Sequence, residues 1–285
     1  MPRLLVIADD LTGANDVGVQ FARHGISTQV VTEMTVRSSP ARLPVDHQVV
    51  VVNIESRHLS AAQAGQRVRR VVADGIGSGM THFYKKTDSS LRGNIGSELE
   101  ALMSASSCRA LPFIPAFPKL KRTTRTGLQF ISGTLLHESA FANDPLEPMT
   151  DSFIPSIIQR QTATATRVLS TSEVLMASPK TFLDKAIYVL DAVTDTDLQA
   201  AGIVLKLSDL LRVTAGSAGF AECLATLVGF QRKPIEPVHE DGRMLLVNGS
   251  MNNVSLEQVK DALGHGFVPV TLPPETLLAD ESPRS

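Results

Sequence analysis

Short runs of aliphatic and β-branched residues recur along the chain between segments whose apolar positions repeat at helical spacing. This alternation predicts strands joined by crossover helices. The predicted strands are Arg3 to Ala8, Gln48 to Ile54, His82 to Lys86, Leu111 to Ile114, Ala186 to Leu190 and Arg212 to Ala215. Most are apolar on both faces, as strands buried in a parallel sheet are. Ala64, Val68, Val71 and Val72 fall at i, i+4, i+7 and i+8 behind a Ser60–Gln63 capping box, leaving Arg67 and Arg70 for solvent. Ile95, Leu99, Leu102 and Met103 repeat that spacing after Gly93-Asn94, and Phe220, Leu224, Leu227 and Val228 after Gly216 to Gly219. The predicted fold class is α/β, a mostly parallel sheet flanked by helices.

Two stretches interrupt the pattern. Between Pro112 and Pro155, six prolines with several glycines and threonines predict a long irregular region suited to forming a site. Around Gln231 to Gly242, Pro234, Pro237 and a run of charges predict a boundary. The expected organisation is a first α/β domain over 1–232 and the start of a second over 242–285. That second part reads as a strand at Arg243 to Val247, a Gly-Ser turn, a helix opened by a Ser255–Gln258 capping box, and a strand ending near Leu272.

Composition narrows the function classes. The 285 residues are 43% apolar and 20% charged with a net charge of −2, which argues against disorder and against a general nucleic-acid binder. No apolar run approaches the roughly 18 residues needed to span a bilayer, and the N-terminus has no basic segment leading into an apolar one. A cytoplasmic protein without membrane partners is expected. The two cysteines, Cys108 and Cys223, lack CxxC spacing and are expected as buried small apolar residues.

Three polar turns follow predicted strands. Ile7-Ala-Asp-Asp-Leu-Thr-Gly-Ala-Asn-Asp16 puts Asp9, Asp10 and Asp16 at a strand's carboxyl end, where ligands gather in open α/β sheets. A helix cap would need one such residue, Asp10 or Thr12, and not two adjacent acids. Tyr84-Lys-Lys-Thr-Asp-Ser-Ser-Leu-Arg-Gly-Asn94 supplies ammonium groups, a guanidinium, a carboxylate and hydroxyls within a few residues. Such a set suits a polyhydroxy acid: Arg92 for a carboxylate, Asp88 and Ser89 for hydroxyls, a lysine as point charge. Its plainer reading is a polar turn capped by Asn94. Asn53-Ile-Glu-Ser-Arg57 brings one more guanidinium to the same sheet edge, or else an exposed arginine. Beyond Pro115-Ala-Phe-Pro118, the cations Lys119, Lys121, Arg122 and Arg125 could meet phosphates or simply form a solvated face.

Several machines are absent from the sequence. There is no Gly-Lys dipeptide and hence no Walker loop, and no HExxH, GxSxG or EF-hand pattern. Gly75-Ile-Gly-Ser-Gly-Met80 has Met80 at the third glycine position and follows a helix, so it is not a dinucleotide fingerprint. An oxidoreductase would also need glycines where Asp9-Asp10 stand. The scattered histidines predict no metal site built from protein ligands.

Taken together and in order, the first three motifs with Pro115-Ala-Phe-Pro118 and Asp144-Pro145 resemble the four-carbon acid sugar kinases, which include threonate, erythronate and 3-oxo-tetronate kinases. The resemblance spans about residues 1 to 230. It implies ATP-dependent phosphorylation of a sugar acid's terminal hydroxyl, with the acid on the N-terminal domain and ATP with Mg2+ on a glycine-rich C-terminal domain. Asp10, Arg57, Lys86, Asp88, Ser89 and Arg92 would line the sugar-acid pocket beside Asp9. Asp10 or Asp88 would accept the hydroxyl proton while an arginine holds the carboxylate. Gly249 and Ser250 would stand in the opening turn of the nucleotide domain. The family's later glycine-rich segments have no counterpart here, so negligible ATP turnover is expected, and a non-catalytic sugar-acid-binding or interaction protein is the alternative. Lys121 stands where relatives tend to carry glycine. The expected partners are a small sugar acid and, as an assembly, a homodimer.

Overall fold

The computed structural model describes residues 2–32, 43–44, 46–235, 242, 244–249 and 253–271. The chain divides into two compact units, Met1–Ile235 and Glu236–Ser285.

The first unit is built on an eight-stranded parallel sheet of β1 (Leu4–Ala8), β2 (Thr28–Thr32), β3 (Val49–Asn53), β4 (His82–Lys86), β5 (Ala110–Ile114), β9 (Thr166–Leu169), β10 (Ala186–Leu190) and β11 (Val213–Gly216). Across the sheet they run β2-β3-β1-β4-β11-β5-β10-β9. β1, β3 and β10 are buried along their whole length. Alternation across the pleat divides each strand between two cores: Leu4, Val6, Val49 and Val51 face one, Leu5, Ile7, Val50 and Val52 the other. The first core is closed by α1 (Leu11–Ala22), α6 (Asp195–Leu207) and α7 (Ala218–Leu227). The second is closed by α2 (Ala61–Gly77), α3 (Ile95–Ser106) and the short α4 (Ile154–Gln159). Each fully buried Val, Leu or Ile contributes about 1.5–3 kcal/mol. The Ser60–Gln63 capping box opens α2 as its sequence predicts.

From β1 the chain crosses to β2 and β3 on one side and later returns as β4 on the other, so the strand order reverses at β1. A crevice opens at the carboxyl ends of strands at such a reversal. β1, β3 and β4 are in register, Ala8 opposite both Asn53 and Lys86, so their three following turns emerge at one level.

The sequence pattern misses β2, β9, α4, α5 (Thr171–Met176) and α6, and it reads Pro112 to Pro155 as irregular. That region instead contains a three-stranded antiparallel sheet, β6 (Arg122–Arg125), β7 (Leu128–Ile131) and β8 (Thr134–Leu135). No proline falls between Pro118 and Pro145, which leaves this stretch free to pair. Its turns, Thr126-Gly127 and Ser132-Gly133, have positive φ at both central residues, as primed hairpin turns require.

In the second unit, the described residues 244–249 and 265–271 carry no strand, contrary to the two strands expected there. A single strand has no partner for its backbone groups, and among the described residues this unit offers none. Its helix, α8 (Asn253–Gly264), begins two residues before Ser255. Ser255 and Gln258 therefore lie within the helix and not at its cap. Arg243 and Leu272 lie outside the described residues.

Candidate functional site

Asp10 caps α1: its Oδ1 accepts from the Gly13 amide at 2.8 Å. Its Oδ2 stands 2.9 Å from Arg57 Nη1, so the plain cap and the charged site are the same residue. Arg57 Nε donates to Asp9 Oδ2 at 2.8 Å, with the Asp9 side chain 2% exposed and its Oδ1 buried without a partner. Burial works against the Arg57 charge, but Asp9, Asp88 and Asp10 outweigh it and hold the guanidinium well above the ordinary arginine range.

The turn after β4 joins this pair. Asp88 Oδ2 accepts from Arg92 Nε at 2.6 Å, and Arg92 Nη1 reaches Asp144 Oδ2 at 2.9 Å. Two donors of the Arg92 fork are thus already committed to protein carboxylates. Burial pushes the Asp88 carboxyl up, yet Arg92, Arg57 and Lys86 prevail and hold it below the usual range. Lys86, in the buried end of β4, donates to the Thr87 carbonyl at 2.8 Å. Its ammonium lies against the first turn of α1, where a Cβ on Gly13 would stand 3.0 Å from it. Ser89 is half-buried, and its carbonyl accepts from Gln129 of β7 at 2.8 Å.

Asn94 does not cap α3 with its side chain. Its amide donates to the carbonyls of Ser56 at 3.0 Å and Leu59 at 2.9 Å, tying the β4 turn to the Arg57 turn. Beneath both lies a buried pair, Lys85 Nζ to Glu98 Oε2 at 3.0 Å, with Ser56 donating to the other Glu98 oxygen. Burial, with a contribution from Asp9, pushes the Glu98 carboxyl up against the pull of Lys85. Asp16 is likewise raised by burial, against Lys86 and Arg122.

The turns bearing Asp9, Asp10, Arg57, Lys86, Asp88, Ser89 and Arg92 therefore meet at the reversal of the sheet. A cavity of about 550 Å³ borders the group at Arg57, with His58, Glu147, Met149 and Arg160 among its other walls. Its lining includes none of Asp9, Asp10, Lys86 or Asp88, so the charged group and not this cavity is the candidate site. Gly249 stands in an exposed irregular stretch of the second unit with nothing within 4 Å of a Cβ placed on it, and Ser250 is outside the described residues. Nothing described there forms a cradle for ATP. Among the described residues no group of three or more His, Cys, Asp or Glu is placed to hold a metal ion. No described helix is long and apolar enough to cross a membrane. Cys223 is buried, whereas Cys108 is only half-buried at the helix–strand corner, and both are free.

Sequence reasoning missed Glu98, Ser56 and Phe141. Glu98 had left a signal: with Ile95 and Leu102 it falls at i, i+3 and i+7, a carboxylate on the apolar stripe of α3. Phe141, over whose ring Arg92 lies at 5.2 Å, had none, because nothing local links it to the strand ends.

Residues 4–224 match the family model described as the sugar-binding N-terminal domain. The D-threonate kinase of Salmonella typhimurium is 32% identical over 271 residues, 93% of this chain and 62% of that protein. The D-erythronate kinase of Heliobacterium modesticaldum is 29% identical, covering 91% of this chain and 60% of the relative. A Bordetella bronchiseptica crystal structure, a domain of unknown function with bound citrate in a domain-swapped dimer, superposes with a TM-score of 0.68 at 32% identity, covering 80% of this chain and 56% of that one. The chain spans about three fifths of the length of these relatives. By its sugar-binding N-terminal domain, lodged in a sheet whose reversal gathers these carboxylates and cations, the chain belongs to the four-carbon acid sugar kinase family.

Proposed function

We propose that this chain supplies the sugar-acid half of an ATP-dependent kinase that phosphorylates the terminal hydroxyl of a four-carbon acid such as D-threonate or D-erythronate. The observation that carries the reading is the meeting of Asp9, Asp10 and Arg57 with Lys86, Asp88 and Arg92 at the reversal of the sheet. Carboxylates there accept hydroxyl protons, cations hold the acid group, and Ser89 adds a hydroxyl. Of the two candidate bases, Asp10 is the more accessible, its side chain 23% exposed against 12% for Asp88. Asp88 is also the one held ionised by Arg92. Phosphoryl transfer depends mainly on positioning and charge stabilisation, and these residues position the acceptor.

In this reading residues 1–232 form the acid-binding domain, and 242–285 belong to a nucleotide domain. ATP and Mg2+ enter from the relatives' names as kinases. Gly249 and Ser250 remain assigned to the nucleotide by resemblance, and no step is derived through it. A cytoplasmic location and a homodimer complete the proposal. The dimer is checked by light scattering.

Calorimetric titration of the purified chain with D-threonate and D-erythronate tests the reading, alongside a coupled assay for ADP release. Binding of either acid supports the site, and its dependence on Asp10 and Arg57 locates it. Binding without ADP release fits both this half-site reading and a non-catalytic sugar-acid-binding protein, whereas ADP release excludes the second. Absence of binding to both acids overturns the proposal.

A further inference from the structure

The four cations from Lys119 to Arg125 are unused by the sugar-acid site as described, and the fold separates them. Lys119 pairs with Glu222 at 2.7 Å, while Lys121 and Arg125 are exposed. Arg122 turns inward from β6. It is half-buried, with its guanidinium carbon 5.9 Å from the centroid of the Phe141 ring that Arg92 also covers. Its Nη1 donates to the Leu120 carbonyl at 2.9 Å, and its Nε is buried with no hydrogen-bond partner.

The neighbouring cations differ in one respect. Arg57 is neutralised by Asp9 and Asp10, Arg92 by Asp88 and Asp144, and Lys85 by Glu98. Among the described residues, neither Arg122 nor Lys86 has a carboxylate oxygen within 4.0 Å. Both stand by the turn that carries Asp88: Lys86 lies two residues before it in the chain, and Arg122 shares the Phe141 ring with Arg92, whose Nε donates to Asp88. Asp16 and Asp88 are the acids that temper the positive charge there, with Arg92 adding to it. A cation withdrawn from water without an ion-pair partner carries a desolvation cost that a bound anion would offset. The unpartnered Nε of an inward-facing guanidinium supplies a directed donor of the kind an oxyanion accepts.

We infer that Lys86 and Arg122 form an oxyanion subsite, in which a carboxylate or phosphoryl group of the ligand docks between the β4 end and β6. The inference deepens the sugar-acid reading and rests on it for the ligand's identity. It adds a residue from the small antiparallel sheet to a site otherwise built from the parallel one.

Calorimetry with D-threonate and with inorganic phosphate decides it, on the wild-type chain and on Arg122→Ala, Arg122→Lys and Arg125→Ala. If the subsite takes the carboxylate, Arg122→Ala weakens D-threonate by about tenfold or more, the usual loss for a charge-assisted contact, and leaves phosphate unchanged. If it takes the phosphoryl group, the same change removes phosphate binding and leaves D-threonate unchanged. Arg122→Lys keeps the charge without the planar fork and gives intermediate affinity, which also decides the matter should the alanine variant not fold. Either anion binding the Arg122 variants as tightly as wild type, with the other also unaffected, overturns the inference. So does an equal loss in Arg125→Ala, because that would mean a diffuse positive field. A wild-type chain that binds phosphate but not D-threonate refutes the sugar-acid reading while leaving the subsite standing. One that binds neither refutes the subsite as well.

Discussion

Replacing Glu98 with glutamine strikes the buried link under the site. Lys85 and Glu98 side chains are 0% and 1% exposed, so the change leaves an ammonium group in the interior without its counter-charge. Removing one partner of a buried pair costs about 3–5 kcal/mol. Lys85 keeps its bond to the Lys86 carbonyl at 2.7 Å, and glutamine preserves the volume and an acceptor for Ser56, so the lower end, about 3 kcal/mol, applies. That is a large part of the roughly 5–15 kcal/mol that holds a domain folded. Urea unfolding reads it directly: with a slope near 3 kcal/mol/M the midpoint falls by about 1 M at unchanged slope. The paired replacement Lys85→Met with Glu98→Leu removes both charges and recovers most of the loss. A cost below about 1 kcal/mol for Glu98→Gln would place the pair in the class of solvated ion pairs and refute the reasoning. A double variant no more stable than the single one would do the same.

Other outcomes follow from the same geometry. Because the Asp88 carboxyl is held below its ordinary value of 3.8, the unfolded chain binds a proton there that the folded chain does not. Its stabilisation is complete above that value and is lost as pH falls through the folded pKa. Asp88→Asn should therefore flatten the acid limb of a stability–pH curve, and an equally steep limb would contradict the assignment. Lys121 has φ of +56°, a left-handed conformation costing a side-chain-bearing residue about 1 kcal/mol. Lys121→Gly should raise the urea midpoint by the equivalent of about 0.5 kcal/mol, after the added flexibility of the unfolded chain is counted, and a lowered midpoint would argue against strain there. Burial pushes the Cys108 and Cys223 thiols up to about 11 and about 12. Thiol reagents at pH 8 should label both slowly in the folded chain and rapidly after denaturation, and fast labelling of the folded chain would show an activated thiolate.

The two kinds of information divide along physical lines. Runs such as Val49 to Val52 announce buried parallel strands by themselves, because burial on both faces leaves no polar position to interrupt them. The paired acids at Asp9-Asp10 and the mixed charges from Lys85 to Arg92 are likewise visible locally, since each lies in one turn after one strand. β2 and β9 escaped notice because they lie towards the sheet's edges, half-buried and mixed in composition. The second unit shows the opposite case, since strand-like residues at 244–247 acquire strand geometry only when another strand accepts their backbone bonds. Partnership across the chain was the other hidden quantity. Sequence spacing does not reveal that Arg57 would be spent on Asp9 and Asp10, that Arg92 would reach Asp144 52 residues away, or that Arg122 would face inward while Arg125 faces out. Residue types and their order thus determined the α/β class and the three charged turns. The order of strands in the sheet decided that these turns share one crevice, because charges interact through space and only the crossovers set which of them are close.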